Sequence, residues 1–252
     1  MITQYKIALQ NPQGGAIPAF WAYRLYSWML ECIPPEYGER LHTQGEKPIS
    51  HYLFFEKEKN RSVWVVNLLT EEMEELFGSL LRHVDAIALD TGLLRAELLH
   101  TEERITSQDL MTAARQEENI RRAELRFRSP TAFKQGGRYA IYPTPDLIIG
   151  SLLNKWESIC PEYPLWDEDA VRMLQQGIFV TDYNLRTTRY SLKNVRIPGF
   201  TGSVVLESRL AQPMQEIWKL LLHTAQYTGI GIKTTLGMGG TIYVPRSRDK
   251  NI

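Results

Sequence analysis

The sequence predicts an α+β chain built from two similar passes, and three observations carry that reading. Short alternating apolar runs of strand length are interleaved with longer runs of helical period. Each half of the 252 residues orders them as strand, helix, hairpin, helix, strand. The charge also divides at the middle: residues 1–119 hold 11 Lys+Arg against 18 Asp+Glu, a balance of −7, and residues 120–252 hold 18 against 11, a balance of +7. A β-α-β-β-α-β pass repeated in tandem is the pattern of two ferredoxin-like (RRM-like) domains, here 1–119 and 120–252.

In the first half, residues 4–9 alternate loosely and are short enough for one strand. Gly14 and Gly15 break it, and Pro18 sits where a first helical turn tolerates proline. A helix then runs to about Cys32 on an apolar stripe of Trp21, Leu25, Trp28 and Cys32. Pro34 and Pro35 stop it, and a polar loop follows. The strand-like runs 51–55 and 62–69 flank a charged segment, which is a hairpin pattern. Thr70 caps a helix over 71–81, where Glu71, Glu72, Glu74 and Glu75 suit the positive end of the helix dipole. Gly92 leads into a closing strand over 93–99, and 107–118 reads as a capped helix.

The second half follows the same plan. Residues 123–128 form a strand, and Pro145 opens a helix on Leu147, Ile148, Leu152, Trp156 and Ile159. Runs 178–183, 187–195 and 203–207 are strands. A helix on Met214, Ile217, Leu221 and Ala225 precedes a last strand over 241–244. The repeat is one of pattern only, without residue-level similarity between the halves.

Composition sets the outer limits. A hydrophobic content of 43% with 23% charged residues suits a folded chain with a buried core. A formal net charge of zero argues against a uniformly basic coat, but a +7 half suits a polyanion on that half. Cys32 and Cys160 are too few for a disulfide framework or a four-cysteine metal site, so a reducing cytoplasm is expected. No apolar run approaches the ~18–20 residues of a membrane span, so no membrane partner is expected.

The sharpest motif is GIGIKTTLGMGG at 229–240, five glycines in twelve residues between the last helix and the last strand. Glycines permit positive φ and close backbone approach, so successive amides can point at an anion, and Lys233 adds a mobile charge. The segment lacks the Gly-Lys-Ser/Thr ending of a nucleotide P-loop and follows a helix instead of preceding one. A dinucleotide fingerprint fails on spacing and context. The plain alternative is a tight turn packed on a sheet.

With this motif the sequence resembles the CRISPR repeat-processing endoribonucleases, metal-independent nucleases of the RAMP superfamily that mature CRISPR RNA. Further matches fall in order along the chain: RLHTQGEKPIS (40–50), LRFRSPTAFKQGG (125–137), PTPDLIIGSLLNKW (143–156) and GFTGSVVLE (199–207). The resemblance implies two tandem ferredoxin-like domains and a single cut in each repeat, with no cofactor. The RNA 2′-hydroxyl attacks the adjacent phosphate, giving a 2′,3′-cyclic phosphate and a 5′-hydroxyl, so the protein supplies a base, an acid and charge stabilisation.

By the same resemblance, Tyr26 on the first helix and His42 and Lys47 in the segment after it match a Tyr/His/Lys catalytic site. Tyr26 is ~100° around the helix from Leu25, off the apolar stripe, where it can face a groove. His42 has a pKa suited to proton transfer near neutrality. Lys47 suits the crowded anionic phosphate. Which of Tyr26 and His42 is base and which is acid stays open. His51 is the rival histidine, at the start of a strand, while His83, His100 and His223 have no constellation around them.

Arg126, Arg128, Lys134, Arg138, Arg186, Arg189, Lys193 and Arg196 are the RNA-binding candidates on the basic half. Gly229, Gly231, Lys233, Thr234, Gly237 and Gly239 join them from the glycine-rich loop. As a set they suit phosphate contacts, with Tyr183, Tyr190 and Phe200 available to stack on unpaired bases. Repeat RNA is the expected partner; effector-complex subunits and a second copy of the chain are further candidates. A non-catalytic RNA-binding subunit of a CRISPR effector complex is the competing function. A metal nuclease is disfavoured, since no His/Asp cluster has ligand spacing.

Overall fold

The computed structural model of the chain describes residues 1–12, 14–43, 48–118 and 121–246; the side chains of residues 39, 40, 42 and 43 fall outside that description. The fold is two ferredoxin-like units in tandem, each an antiparallel sheet with its helices.

The first strand, β1 (Ile2–Gln10), lies at the centre of its sheet. One 3-10 turn (Ala19–Trp21) leads into α1 (Ala22–Glu31). The segment expected to be a polar loop contains a second helix, α2 (Pro35–Thr43). Pro35 opens this helix, because a first-turn proline loses no helical hydrogen bond. Strands β2 (Ile49–Glu56) and β3 (Arg61–Leu68) form the expected hairpin, turning through Asn60 in a left-handed conformation.

Thr70 accepts a hydrogen bond from the Met73 amide and caps α3 (Glu71–His83), as its sequence context implies. A short strand not anticipated, β4 (Ala86–Leu89), pairs with β5 (Gly92–Ile105). The sheet order β2-β3-β1-β5-β4 is the ferredoxin-like order with β4 added at one edge.

Helix α4 (Ser107–Gln116) starts in a complete capping box between Thr106 and Asp109. Its buried residues, Leu110 and Ala114, join the core of the second half. There β6 (Arg122–Thr131) is followed by a small hairpin, β7 (Phe133–Gln135) and β8 (Arg138–Ala140), turning through Gly136-Gly137. Thr144 caps α5 (Pro145–Ile159), and Asp167 caps α6 (Glu168–Gly177), a helix the periodicity did not disclose.

The two strand runs expected between 178 and 195 are one strand, β9 (Ile178–Leu192), which turns at Lys193-Asn194 into β10 (Val195–Ser208). Helix α7 (Met214–Thr228) and β11 (Thr241–Arg246) complete the sheet β11-β6-β10-β9.

Each half has a core, and the second also takes in Ile2, Leu69, Leu110 and Ala114 of the first. Tyr5, Leu25, Met29, Trp64 and Phe77 pack in the first, and Leu125, Leu152, Trp156, Val204 and Leu221 in the second. A polar chain ties the halves together: Gln4 donates to Asn67 at 2.7 Å, Asn67 to Ser50 at 2.9 Å, and the Ser50 hydroxyl to the Tyr227 carbonyl of α7. Buried polar groups are tolerated when bonded in this way. Among the described residues no helix is long and apolar enough to cross a membrane.

Candidate active site and nucleic-acid interface

The glycine-rich segment 229–240 leaves α7 and wedges between the two halves. Thr235 donates its hydroxyl to the Ile49 carbonyl at 3.0 Å, and Tyr190 of β9 donates to the Leu236 carbonyl. Gly237 has φ +95, and a Cβ on it would overlap the Ala22 side chain of α1. Gly240 lies just as close to the ring of Tyr52 on β2. These contacts demand glycine for approach as much as for φ.

The amides of the segment are largely spent inside the protein. Gly229, Ile230, Ile232, Met238 and Gly239 donate to backbone carbonyls, and Gly231 and Gly240 to the Ser151 and Ser129 hydroxyls. Gly229, Gly237 and Gly239, expected to meet RNA, are buried in backbone packing. Lys233 is exposed and Gly231 half-buried, while Thr234 is buried with its hydroxyl bonded to Lys155.

His51 of β2 bridges the halves at this point. The Trp64 indole N–H, which can only donate, bonds to His51 Nδ1 at 3.2 Å. Nδ1 is thus the acceptor, and Nε2 carries the proton it donates to the Thr235 carbonyl at 2.8 Å. Burial pushes the imidazole pKa down to about 4, against the bond to Thr235, so the ring is neutral near pH 7. With both nitrogens committed, His51 is a core histidine.

Tyr26 stacks on this imidazole with ring centroids 5.7 Å apart. It was expected to face a groove; it is buried at 3% exposure. The reason is that α1 is covered twice, by its own sheet and by the glycine-rich segment. The Tyr26 hydroxyl is buried without a hydrogen-bond partner among the described residues, and burial pushes its pKa up to about 12. His42 lies on α2, but its side chain, like all of Lys47, lies outside the described residues. The chain rejoins them at Pro48, whose carbonyl accepts the Leu69 amide at 2.9 Å.

Leu69 and Thr235 both line a groove of about 580 Å³ that runs between α5 and the glycine-rich segment. Its α5 wall is a stripe of Gly150, Ser151, Asn154, Lys155 and Ser158. Lys155 reaches across to donate to the Thr234 hydroxyl at 2.9 Å. In sequence this wall is masked by the stronger apolar stripe of the same helix. The signal available was small polar residues at helical spacing around one lysine. Among the described residues no three His, Cys, Asp or Glu side chains converge as metal ligands would.

The basic candidates separate into two groups. Arg126 pairs with Glu124 at 3.0 Å, where Arg246 also bonds at 2.7 Å, and Arg128 lies 4.3 Å over the ring of Phe54. Their charge is partly committed within the protein. Lys134, Arg138, Arg186, Arg189 and Lys193 are exposed and make no ion pair with a described residue. Of the stacking candidates, Tyr190 and Phe200 are buried in the cores, because their positions on β9 and β10 face inward. Tyr183 is 59% exposed and meets Tyr142 edge-to-face at 5.9 Å, a surface aromatic pair.

Residues 125–241 match the family model described as CRISPR-associated endoribonuclease Cas6. A Streptococcus thermophilus protein named CRISPR-associated endoribonuclease Cas6 is 31% identical over 220 residues, covering 87% of this chain and 89% of that protein. A Mycobacterium tuberculosis protein of the same name is 28% identical over 226 residues, covering 85% of this chain and 69% of its own length. The solved structure of Thermus thermophilus Cas6 superposes with a TM-score of 0.74 at 24% identity, covering 97% of this chain and 98% of that one. A solved Cas6 product complex gives a TM-score of 0.76 at 25% identity, covering 97% and 100%.

Proposed function

Since the chain belongs to the family of CRISPR-associated endoribonucleases Cas6, we propose that it cuts CRISPR repeat RNA in precursor transcripts by metal-independent transesterification, generating guide RNAs. The observation that carries this reading is the alignment over 220 residues with an endoribonuclease, too long to be confined to either half. Residues 1–119 then form the unit carrying the catalytic groups and 120–252 the unit carrying most of the RNA contacts.

The RNA supplies its own nucleophile. Its 2′-hydroxyl loses a proton and attacks the adjacent phosphorus in line, the bond to the 5′-oxygen breaks, and that oxygen takes a proton as it leaves. The products are a 2′,3′-cyclic phosphate and a 5′-hydroxyl. Tyr26, His42 and Lys47 carry these steps. Burial holds the Tyr26 phenol protonated, which suits it to donate to the leaving oxygen. His42 then accepts the proton of the 2′-hydroxyl, within the range where histidine titrates. Lys47 stabilises the charge that builds on the phosphate.

Lys134, Arg138, Arg186, Arg189, Lys193 and Lys233 hold the RNA backbone; their exposure supports that role. End-group analysis of the cut repeat tests the chemistry. A cyclic phosphate that becomes a free phosphate only after acid treatment is expected, with no cutting when the scissile 2′-hydroxyl is replaced by hydrogen. A product with a 5′-phosphate would overturn the reading, because water and not the RNA would then be the nucleophile.

A further inference from the structure

The groove between α5 and the glycine-rich segment has a wall that the proposed chemistry does not use. Ser151, Asn154, Lys155 and Ser158 follow one another at i, i+3, i+4 and i+7, so they form one face of α5. An exposed helix face on a soluble protein commonly carries long charged side chains that reach into water. Here it carries short polar ones and a single lysine, which leaves the groove open to about 580 Å³. Lys134, Lys155 and Lys233 line it, against Asp146 at the start of α5.

The lysine is held in place from both sides of the groove. Lys155 is half-buried and its Nζ lies 2.9 Å from Thr234 Oγ1. The neighbouring Gly231 amide donates to Ser151 Oγ at 2.7 Å, so α5 and the loop are fastened at two points. The bond to Thr234 sets the ammonium at a defined depth in the groove, unlike a freely rotating surface lysine. Thr235 forms the far side of the same groove, next to the chain that re-enters at Pro48.

We propose that Lys155 is a phosphate-binding residue, and that the groove between α5 and the glycine-rich segment seats a backbone phosphate of the RNA beside the reacting one. This rests on the proposed function for the identity of the polyanion, and extends the interface from the β9–β10 hairpin to α5. Gly231 and Lys233 frame the groove from the loop side. Ser151, Asn154 and Ser158 line it with groups small enough to admit a sugar-phosphate backbone.

The test is RNA binding across a salt titration, using the host repeat with its scissile 2′-hydroxyl replaced by hydrogen so that nothing is cut. Lys155→Gln keeps an N–H donor for Thr234 but removes the charge; Lys155→Arg keeps the charge; Lys57→Gln, in the exposed β2–β3 turn, is the control. Removing one phosphate contact lowers the slope of log affinity against log salt by roughly 0.7–0.9. That fall is expected for Lys155→Gln, with binding several-fold weaker at moderate salt, and neither change for Lys155→Arg or Lys57→Gln. In parallel, the wild-type protein is acetylated with and without RNA, and each lysine is followed by mass spectrometry. Lys155 is expected to be protected at least several-fold by RNA. An unchanged slope in a folded Lys155→Gln protein, or equal acetylation with and without RNA, overturns the proposal. Cutting of the unmodified repeat by wild type is scored separately, so failure of the endoribonuclease reading is visible apart from failure at Lys155.

Discussion

Tyr26 and His51 stack with ring planes 19° from parallel, and the same imidazole crosses to the second half through its bond to Thr235. The first helix, the β2 strand and the glycine-rich segment therefore meet at one pair of rings. Tyr26, proposed above as the proton donor, is held on α1 by a contact that depends on how the two halves dock.

Removing that contact tests the dependence. His51→Ala leaves a cavity and strips partners from Trp64 and Thr235, at a cost of roughly 2–4 kcal/mol. The expected result is a melting temperature lower by several degrees, with residual cleavage that exceeds that of His42→Ala. Equal and complete loss of cutting in a fully stable His51→Ala protein would show that the imidazole reacts and does not merely position.

The depressed pKa of His51 also sets a pH window. The unfolded histidine titrates near 6.5 and the folded one at about 4, so between these values the unfolded chain binds the extra proton. The stability that this ring contributes is complete above pH 6.5 and is lost as pH falls towards 4. Urea denaturation of wild type and His51→Gln across pH 4–8 should show a smaller acid-side loss in the variant. Parallel curves would contradict the neutral, doubly bonded imidazole.

Gly237 and Gly136 make a contrasting pair. Both have positive φ, but an added Cβ meets Ala22 and Tyr190 at Gly237 and nothing within 4 Å at Gly136. Gly136→Ala is expected to cost about 1 kcal/mol, the conformational penalty alone. Gly237→Ala is expected to cost clearly more and to reduce RNA cleavage, since α1 must shift. Thermal melts and cleavage rates on both variants measure the difference.

Much of the fold was legible because its signals are local. Thr70, Thr106 and Thr144 announce their helices by caps that act within one turn. Strand β9 reads as two runs in sequence because most of its residues are exposed on both faces, which removes the alternation that marks a half-buried strand. Helix α6 carries little sequence signal because Leu174 is its one fully buried residue, too little for an apolar stripe.

The site was harder to read for a related reason. His51 and Tyr26 look like an exposed strand start and a helix flank in sequence. Both are covered by a segment far along the chain, Thr235 lying 184 residues after His51. The glycine-rich segment stands out in sequence, but its glycines mainly serve close packing, which sequence does not separate from anion binding.

The aromatic candidates divide cleanly by experiment. Tyr183→Ala, at an exposed position, is expected to weaken RNA binding by about 1–3 kcal/mol if a base stacks there, without changing the melting temperature. Tyr190→Ala should instead lower the melting temperature, because its ring is fully buried and its hydroxyl bonds to Leu236. Binding measured by filter retention alongside thermal melts separates the two roles.

The most direct measurement is cleavage of the host's repeat RNA in EDTA by wild type and His42→Ala side by side. A single cut by wild type, lost in His42→Ala while RNA binding is retained, is the expected result. Binding without cutting by wild type would contradict the catalytic claim and leave an RNA-holding subunit, and a cut that EDTA abolishes would contradict its metal independence.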